Sequence, residues 1–299
     1  MSTQPTTLAT DAGAQPGAQP AAPERIAQHR RYLMCRPEYF TVSYRINPWM
    51  EPGRPTDTAR ALSQWQDLYD TYVRLGHDVE LIDPVPGLPD MVYTANGGFV
   101  VGGRALGVRF RVAERRGEER AFMDWFAANG FEVIEPVEVQ EGEGDFLLVG
   151  DTVLAGTGFR SDGASHREVA DVFGREVVSL TLVDPRFYHL DTALAVLDPV
   201  EGEGGVPRAN IAYLPTAFDD ASRAVLAERY PDAILVDDAD GAVFGLNTAS
   251  DGRNVIVSPR AHGFIAQLRE RGYTPVTVDL SELLLGGGGI KCCTLELRS

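Results

Sequence analysis

The chain has 299 residues, 44% of them hydrophobic and 23% charged, which is the composition of a globular protein large enough for one big domain or two ordinary ones. Its 43 acidic and 27 basic residues leave a formal net charge of −16, which repels a phosphate backbone and excludes nucleic acid as an expected partner. Three cysteines, two of them adjacent, cannot build a disulfide framework, so a reducing cytoplasm is the expected setting.

Residues 1–25 are mostly Thr, Ala, Gln, Gly and Pro without an apolar run, and are expected as a disordered tail, neither signal peptide nor membrane anchor. No membrane partner is expected. Residues 26–299 are expected to form one domain in which a single pattern recurs: strand, strand, amphipathic helix, a short turn, then a Val/Ile-rich strand. An early strand over 32–34 precedes the clearest helix, 57–75. There Ala61, Trp65, Leu68, Tyr72 and Leu75 alternate in steps of four and three and share one face, and Gly76 stands where a C-terminal glycine belongs. A strand over 79–82 follows.

The second unit reads as strands 91–101 and 105–110, helix 118–129 and strand 131–134. The third reads as strands 145–149 and 153–155, helix 167–173 and strand 177–180. The fourth has strands 192–197 and 211–214, helix 221–229 and strand 233–236. The fifth has strands 243–248 and 255–257, helix 261–271 and strand 275–278. A last strand over 291–297 would pair with the first. The expectation is an α/β fold of five pseudo-symmetric units closed into a ring, with the leading strand of each unit near the axis.

Polar residues on those leading strands would then converge. His189 and Asp191 are two apart, so on a strand they share a face, and a carboxylate beside an imidazole suits general acid/base work. Asp90 and Asn96 also have even spacing, and their oxygens could accept from a guanidinium. Glu141-Gly-Glu-Gly-Asp145 brings three carboxylates to a strand entrance but is too short for the common calcium loop. Arg115 and Arg160 carry the paired donors that fit an α-carboxylate.

The C-terminal stretch Leu285-Gly-Gly-Gly-Gly-Ile-Lys-Cys-Cys-Thr294 brings Cys292 and Cys293 onto the expected last strand. The chain's one lysine, Lys291, precedes them. A thiol attacks as thiolate, and adjacent positive charge is one way to lower its pKa. Either cysteine is therefore a candidate nucleophile.

Four segments in this order resemble the guanidino-group-modifying superfamily, which includes dimethylargininases, arginine deiminases, arginine dihydrolases and amidinotransferases. They are Pro89-Asp-Met-Val-Tyr-Thr-Ala-Asn96, Glu141-Gly-Glu-Gly-Asp145, His189-x-Asp191 and the terminal Gly-Gly-x-x-Cys292. The resemblance covers nearly everything after the tail. It implies a five-bladed α/β propeller with Cys292 as nucleophile, Cys293 as its inactive neighbour, and His189 with Asp191 as the acid/base pair. It also implies Asp90 as a substrate-binding position and Arg115 and Arg160 as holders of the substrate carboxylate.

Two departures stand out. The family places an acid three residues before the aspartate, where this chain has Gly142; Glu141 takes the guanidinium-binding role, with Glu143 as the alternative. Asn96 replaces a usual aspartate and resembles the arginine dihydrolases, as do Met34-Cys-Arg-Pro and Ile46-Asn-Pro-Trp-Met50, so Asn47 joins the substrate-contact candidates. The implied reaction is hydrolysis of a small cationic arginine-type substrate through a thiouronium on Cys292. Methylated arginine would give citrulline and dimethylamine; arginine itself would give citrulline or ornithine and ammonia. No metal or organic cofactor is required. Transfer to an acceptor amine ranks lower, and a ribosome-binding initiation factor of the same fold would lack the Cys–His–carboxylate set. The oligomeric state stays open.

Overall fold

A computed structural model describes residues 25–198 and 210–298; the expected tail falls almost entirely outside these. The described residues form a mixed α/β architecture of five three-stranded sheets. In the first, β1 (Arg31–Cys35) runs parallel to β2 (Asp78–Ile82) across helix α1 (Thr58–Arg74). Four sheets then repeat one plan, an antiparallel pair followed by a helical crossover to a parallel third strand. The first of these is β3 (Phe99–Val101), β4 (Arg104–Leu106), α2 (Arg116–Ala128) and β5 (Glu132–Ile134). Next come β6 (Phe146–Val149), β7 (Thr152–Thr157), α3 (Ala164–Phe173) and β8 (Glu176–Thr181).

A four-residue helix, α4 (Leu190–Ala193), leads into β9 (Leu194–Asp198), β10 (Asn210–Tyr213), α5 (Asp220–Arg229) and β11 (Ile234–Leu235). After α6 (Asp238–Gly241), the last plan uses β12 (Ala249–Ser250), β13 (Asn254–Val257), α7 (His262–Glu270) and β14 (Thr274–Thr277). The chain's final strand β15 (Leu295–Glu296) pairs antiparallel with β1 and so gives the first sheet the same composition as the rest.

Local physics accounts for the regular parts. The Asp57 carboxylate accepts from Arg60 N and caps α1, whose buried stripe is Ala61, Trp65, Leu68 and Tyr72 as the spacing required. Each such large side chain, fully buried, contributes roughly 2 kcal/mol of transfer free energy. Gly76 then turns with φ 89°, and the chain enters β2. The third, fourth and fifth units contribute to one continuous apolar core, and smaller clusters fill the rest. Among the described residues, no helix is long and apolar enough to cross a membrane.

The differences from sequence expectation concentrate at the leading strands. Residues 89–97 are two consecutive 3-10 turns, not part of a strand, because the Arg115 guanidinium takes the Asp90 carbonyl and the Cys292 carbonyl takes Ala95 N. His189 caps the short helix α4 instead of lying on a strand, and Thr192 Oγ1 donates to its carbonyl. Residues 242–248 are turns and bends, with Phe244 at φ 58°, so no strand forms over the expected 243–248, and β12 begins only at Ala249. Residues 291–294 are likewise a turn, where Cys293 N bonds Gly289 O and Thr294 N bonds Lys291 O. Apolar and β-branched content reads as strand at each place, but local polar partners capture the backbone groups a ladder would need.

Candidate active site

Cys292 is placed by the glycine run before it. A side-chain carbon on Gly288 would sit 2.4 Å from the Tyr93 ring, and one on Gly289 would sit 2.9 Å from Asn247 Oδ1. Only glycine lets this segment lie so close to its neighbours. Cys292 Sγ then lies 3.3 Å from Asp191 Oδ2, to which it donates, and 3.1 Å from Asn247 Nδ2, from which it accepts. Burial pushes the thiol well above its ordinary pKa, and the Asp191 carboxylate beside it pushes the same way. Burial also raises Asp191, to about 7, against the pull of Lys291 and the thiol's hydrogen bond.

Lys291 does not serve the thiol. Its ammonium bonds Glu143 Oε2 and the Thr294 carbonyl, each at 2.8 Å. Glu143 also receives Glu296 N at 2.9 Å and an ion pair from Arg298. Burial alone would raise this carboxyl, but Arg298 and Lys291 outweigh it and hold it below the ordinary range. Glu143 is therefore committed to tying the C-terminal turn and β15 in place.

Glu141 faces the other way and meets the imidazole. Its Oε2 lies 2.7 Å from His189 Nε2 and accepts from Arg160 Nη1 at 2.9 Å. Burial would raise this carboxyl too; Arg160 and then His189 reverse the effect and hold it far below the usual carboxylate range. The two carboxylates diverge because Gly142 between them has φ 58°, where a side-chain carbon would lie 2.5 Å from the Gly98 carbonyl oxygen. That geometry explains why the acid stands at 141 and not at 142. Asp145, third of the run, is structural: it accepts from Ser161 Oγ at 2.6 Å and from Leu190 N at 3.1 Å, which anchors the start of α4.

The remaining candidates assemble around Glu141 and the turns at 89–97 and 46–50. Arg115 lies against Glu118 in a two-point pair (3.0 and 2.8 Å) and also donates to Asn96 Oδ1 at 2.7 Å and to the Asp90 carbonyl at 3.1 Å. Four of its five N–H donors are thereby used. Asn96 in turn donates to the Glu141 carbonyl at 3.2 Å. Asp90 accepts from Tyr44 OH at 2.8 Å, and burial raises its carboxyl against the pull of Arg115. Arg160 uses Nη1 on Glu141 and Nη2 on the Ile46 carbonyl at 2.8 Å, and its guanidinium lies 4.7 Å from the Tyr188 ring centre. Asn47 bonds the Gly286 carbonyl at 3.0 Å and holds its own loop by accepting from Trp49 N and Met50 N.

Every predicted site residue is thus gathered in one buried cluster, and none is more than 7% exposed. One expected partnership differs: His189 and Asp191 are not bonded to each other, since Glu141 takes the imidazole and Cys292 takes Asp191. Three buried polar atoms of the cluster have no partner among the described residues, namely His189 Nδ1, Asp191 Oδ1 and Asp90 Oδ1. Sequence reasoning missed Asn247, Tyr188, Tyr44 and Glu118. Asn247 lay inside an expected strand, and nothing in its spacing marked it.

The arrangement offers a thiol, an imidazole with one free nitrogen and two carboxylates with free oxygens, all out of water. Known proteins are similar to this chain over most of its length. A dimethylarginine dimethylaminohydrolase of Mycobacterium tuberculosis is 54% identical over 92% of this chain and 88% of its own length. The bifunctional arginine dihydrolase/ornithine cyclodeaminase ArgZ of Synechocystis is 39% identical over 91% of this chain, which spans 38% of that larger protein. The crystal structure of the ArgZ N-terminal domain bound to substrate superposes with a TM-score of 0.84 at 38% identity, covering 90% of this chain and 98% of that one. A structure of a dimethylarginine dimethylaminohydrolase adduct, at TM-score 0.69 and 19% identity, shares the fold. No family model matches the chain. The chain belongs to the guanidino-group-modifying superfamily, as a hydrolase of C–N bonds related to the dimethylarginine dimethylaminohydrolases.

Proposed function

We propose that the protein is a dimethylargininase that converts Nω-methylated arginine to citrulline and dimethylamine. The observation that carries this reading is the buried set Cys292–Asp191 and His189–Glu141 in one cluster, joined to 54% identity with a dimethylarginine dimethylaminohydrolase. Residues 26–299 act as a single catalytic domain, a five-bladed propeller; its support is the fivefold repeat of one sheet plan and the return of β15 to β1. A reducing cytoplasm suits the three free thiols, and a charge of −16 suits a cationic amino acid and no nucleic acid.

The free oxygens of Asp90 and Asp191 accept from the guanidinium, and Glu141, ionised by its neighbours, supplies the opposing charge. Arg160, with three of its five donors unspent on the bonds above, and Arg115 hold the substrate carboxylate, and Asn47 lines the same end. The thiol proton leaves Cys292 for Asp191 Oδ2, its bonded acceptor. Sγ attacks the guanidinium carbon, the C–N bond to the dimethylamino nitrogen breaks, and His189 gives that nitrogen its proton. Water then loses a proton to His189 as it adds to the thiouronium. Collapse breaks the C–S bond and returns the electron pair to sulfur, which takes back its proton from Asp191, while the hydroxyl proton of the adduct ends on the departed dimethylamine and citrulline is released.

The alternative is an arginine dihydrolase or deiminase acting on unmethylated arginine, which the TM-score of 0.84 to ArgZ favours. Asn96 does not decide between them, since its carboxamide is engaged with Arg115 and the Glu141 carbonyl. Mass spectrometry of products from arginine and from asymmetric dimethylarginine tests the reading. Citrulline and dimethylamine from the methylated substrate alone support it. Ornithine and ammonia from arginine would replace it with a dihydrolase, and silence on both would favour an amidinotransferase. Cys292→Ser abolishes turnover in this reading and Cys293→Ser does not.

A further inference from the structure

Asn247 is an uncharged residue that none of the expected motifs contains, yet its carboxamide is spent entirely on the nucleophile and the element beside it. Oδ1 accepts from Cys292 N at 3.1 Å. Nδ2 donates to Cys292 Sγ at 3.1 Å and to the Asp191 carbonyl at 3.1 Å. The residue is 1% exposed, and its own carbonyl receives Lys291 N. The segment that delivers it is unusual. Phe244, three residues earlier, has φ 58°, the one left-handed conformation outside glycine among the described residues, and its ring meets Trp49 edge-on at 4.7 Å.

We propose that Asn247 is a positioning residue for the nucleophile, setting the distance from Cys292 Sγ to the α4 element that carries Asp191 and follows His189, and stabilising the sulfur as its proton leaves. The physical reason is a matter of sign. Asp191, the thiol's acceptor, repels negative charge on sulfur, and Lys291, the nearest cation in sequence, is bonded to Glu143. The Nδ2 N–H is thus the side-chain donor bonded to Sγ, and a donor stabilises the thiolate relative to the thiol. Its second N–H, on the Asp191 carbonyl, stops the two catalytic elements from drifting apart. An aspartate at this position would keep the shape, lose both donors and add a repelling charge.

This inference rests on the cysteine-hydrolase reading but not on the identity of the substrate, so its test uses two readouts. In the full-length protein, the pH dependence of Cys292 alkylation by iodoacetamide is followed by mass spectrometry, with fragment ions separating Cys292 from Cys293. The kcat and KM for asymmetric dimethylarginine are measured beside it. In Asn247→Asp the alkylation midpoint moves up by about one pH unit or more and kcat falls about 10- to 100-fold, while KM changes less than about threefold. Asn247→Ser, which keeps one hydroxyl donor, shifts less; it carries the measurement if the aspartate variant does not fold. An unchanged midpoint in the folded variants overturns the proposal, as does a kcat loss that merely follows a fall in melting temperature. Wild type that alkylates at Cys292 but does not turn over dimethylarginine would refute the substrate reading alone.

Discussion

His189 Nε2 lies 2.7 Å from Oε2 of Glu141, a residue 48 positions earlier, and is not bonded to Asp191 two positions later. The imidazole is thereby oriented by one carboxylate while the thiol is bonded by another, and the two acids are kept from competing for the same proton. Glu141 stays ionised because Arg160 shares its Oε2. A carboxylate that fixes a histidine in this way sets its tautomer and the direction of its free nitrogen.

Glu141→Gln removes the charge but keeps the shape. We expect kcat to fall by about 10²-fold or more, the usual worth of a positioned general acid/base, with the chain still folded. Steady-state kinetics checks this, and a variant within threefold of wild type would remove Glu141 from the mechanism.

Glu143→Gln has the opposite profile. It takes the Lys291 ammonium and the Arg298 guanidinium off their shared carboxylate in a partly buried setting, leaving them the Thr294 carbonyl and Glu296. Breaking one side of such a network costs on the order of 3 kcal/mol. Urea denaturation should show that loss, while kcat for the folded fraction stays within about threefold of wild type. A catalytic defect larger than the Glu141→Gln defect would reverse the two assignments.

Asp191 gives the protein a pH-dependent stability. Its carboxyl is raised to about 7 in the folded chain, first by burial, so the folded state binds more protons than the unfolded state between about pH 4 and pH 7. The contribution is fully present below the unfolded value and is lost as pH rises through about 7. Asp191→Asn removes this titration and is expected to be more stable than wild type at pH 8, by roughly 2–4 kcal/mol, and inactive. Calorimetry at pH 5 and pH 8 decides it; equal melting-temperature differences at both values would sink the argument.

Gly142→Ala tests the divergence of the two glutamates. A methyl group there meets the Gly98 carbonyl oxygen at 2.5 Å, and φ 58° disfavours any side chain. The left-handed conformation alone costs about 1–2 kcal/mol. The clash adds to it, and activity should fall with stability as Glu141 moves off His189. A melting temperature equal to wild type would show that the loop can relax.

Much of this was legible in the chain. Helical periodicity located the long helices to within a few residues, as in α1, because a buried stripe repeats every three or four positions whatever it packs against. The third, parallel strand of each unit was found near its observed place, since a Val and Ile cluster after a short turn favours a strand even where, as in β2 and β14, much of it stays exposed. The expected strands were misread at 89–97, 189–193, 242–248 and 291–294, where some backbone groups close short turns, as Thr294 N does on Lys291 O, and others are bonded by residues far away in sequence, as Ala95 N is by Cys292 O.

The sequence by itself determined the chemical inventory: one cysteine after a glycine run, a histidine, a run of acids and two arginines, in an order that identifies the superfamily. Partnership was decided only by the tertiary structure. Which acid meets His189, which way Glu143 turns, where Lys291 points and what Asn247 holds all depend on segments 45 to 148 positions apart. Hydrogen bonds of this kind are directional and act over about 3 Å, so no periodicity along the chain encodes them. They exist only once five separate sheets have brought their turns to one place.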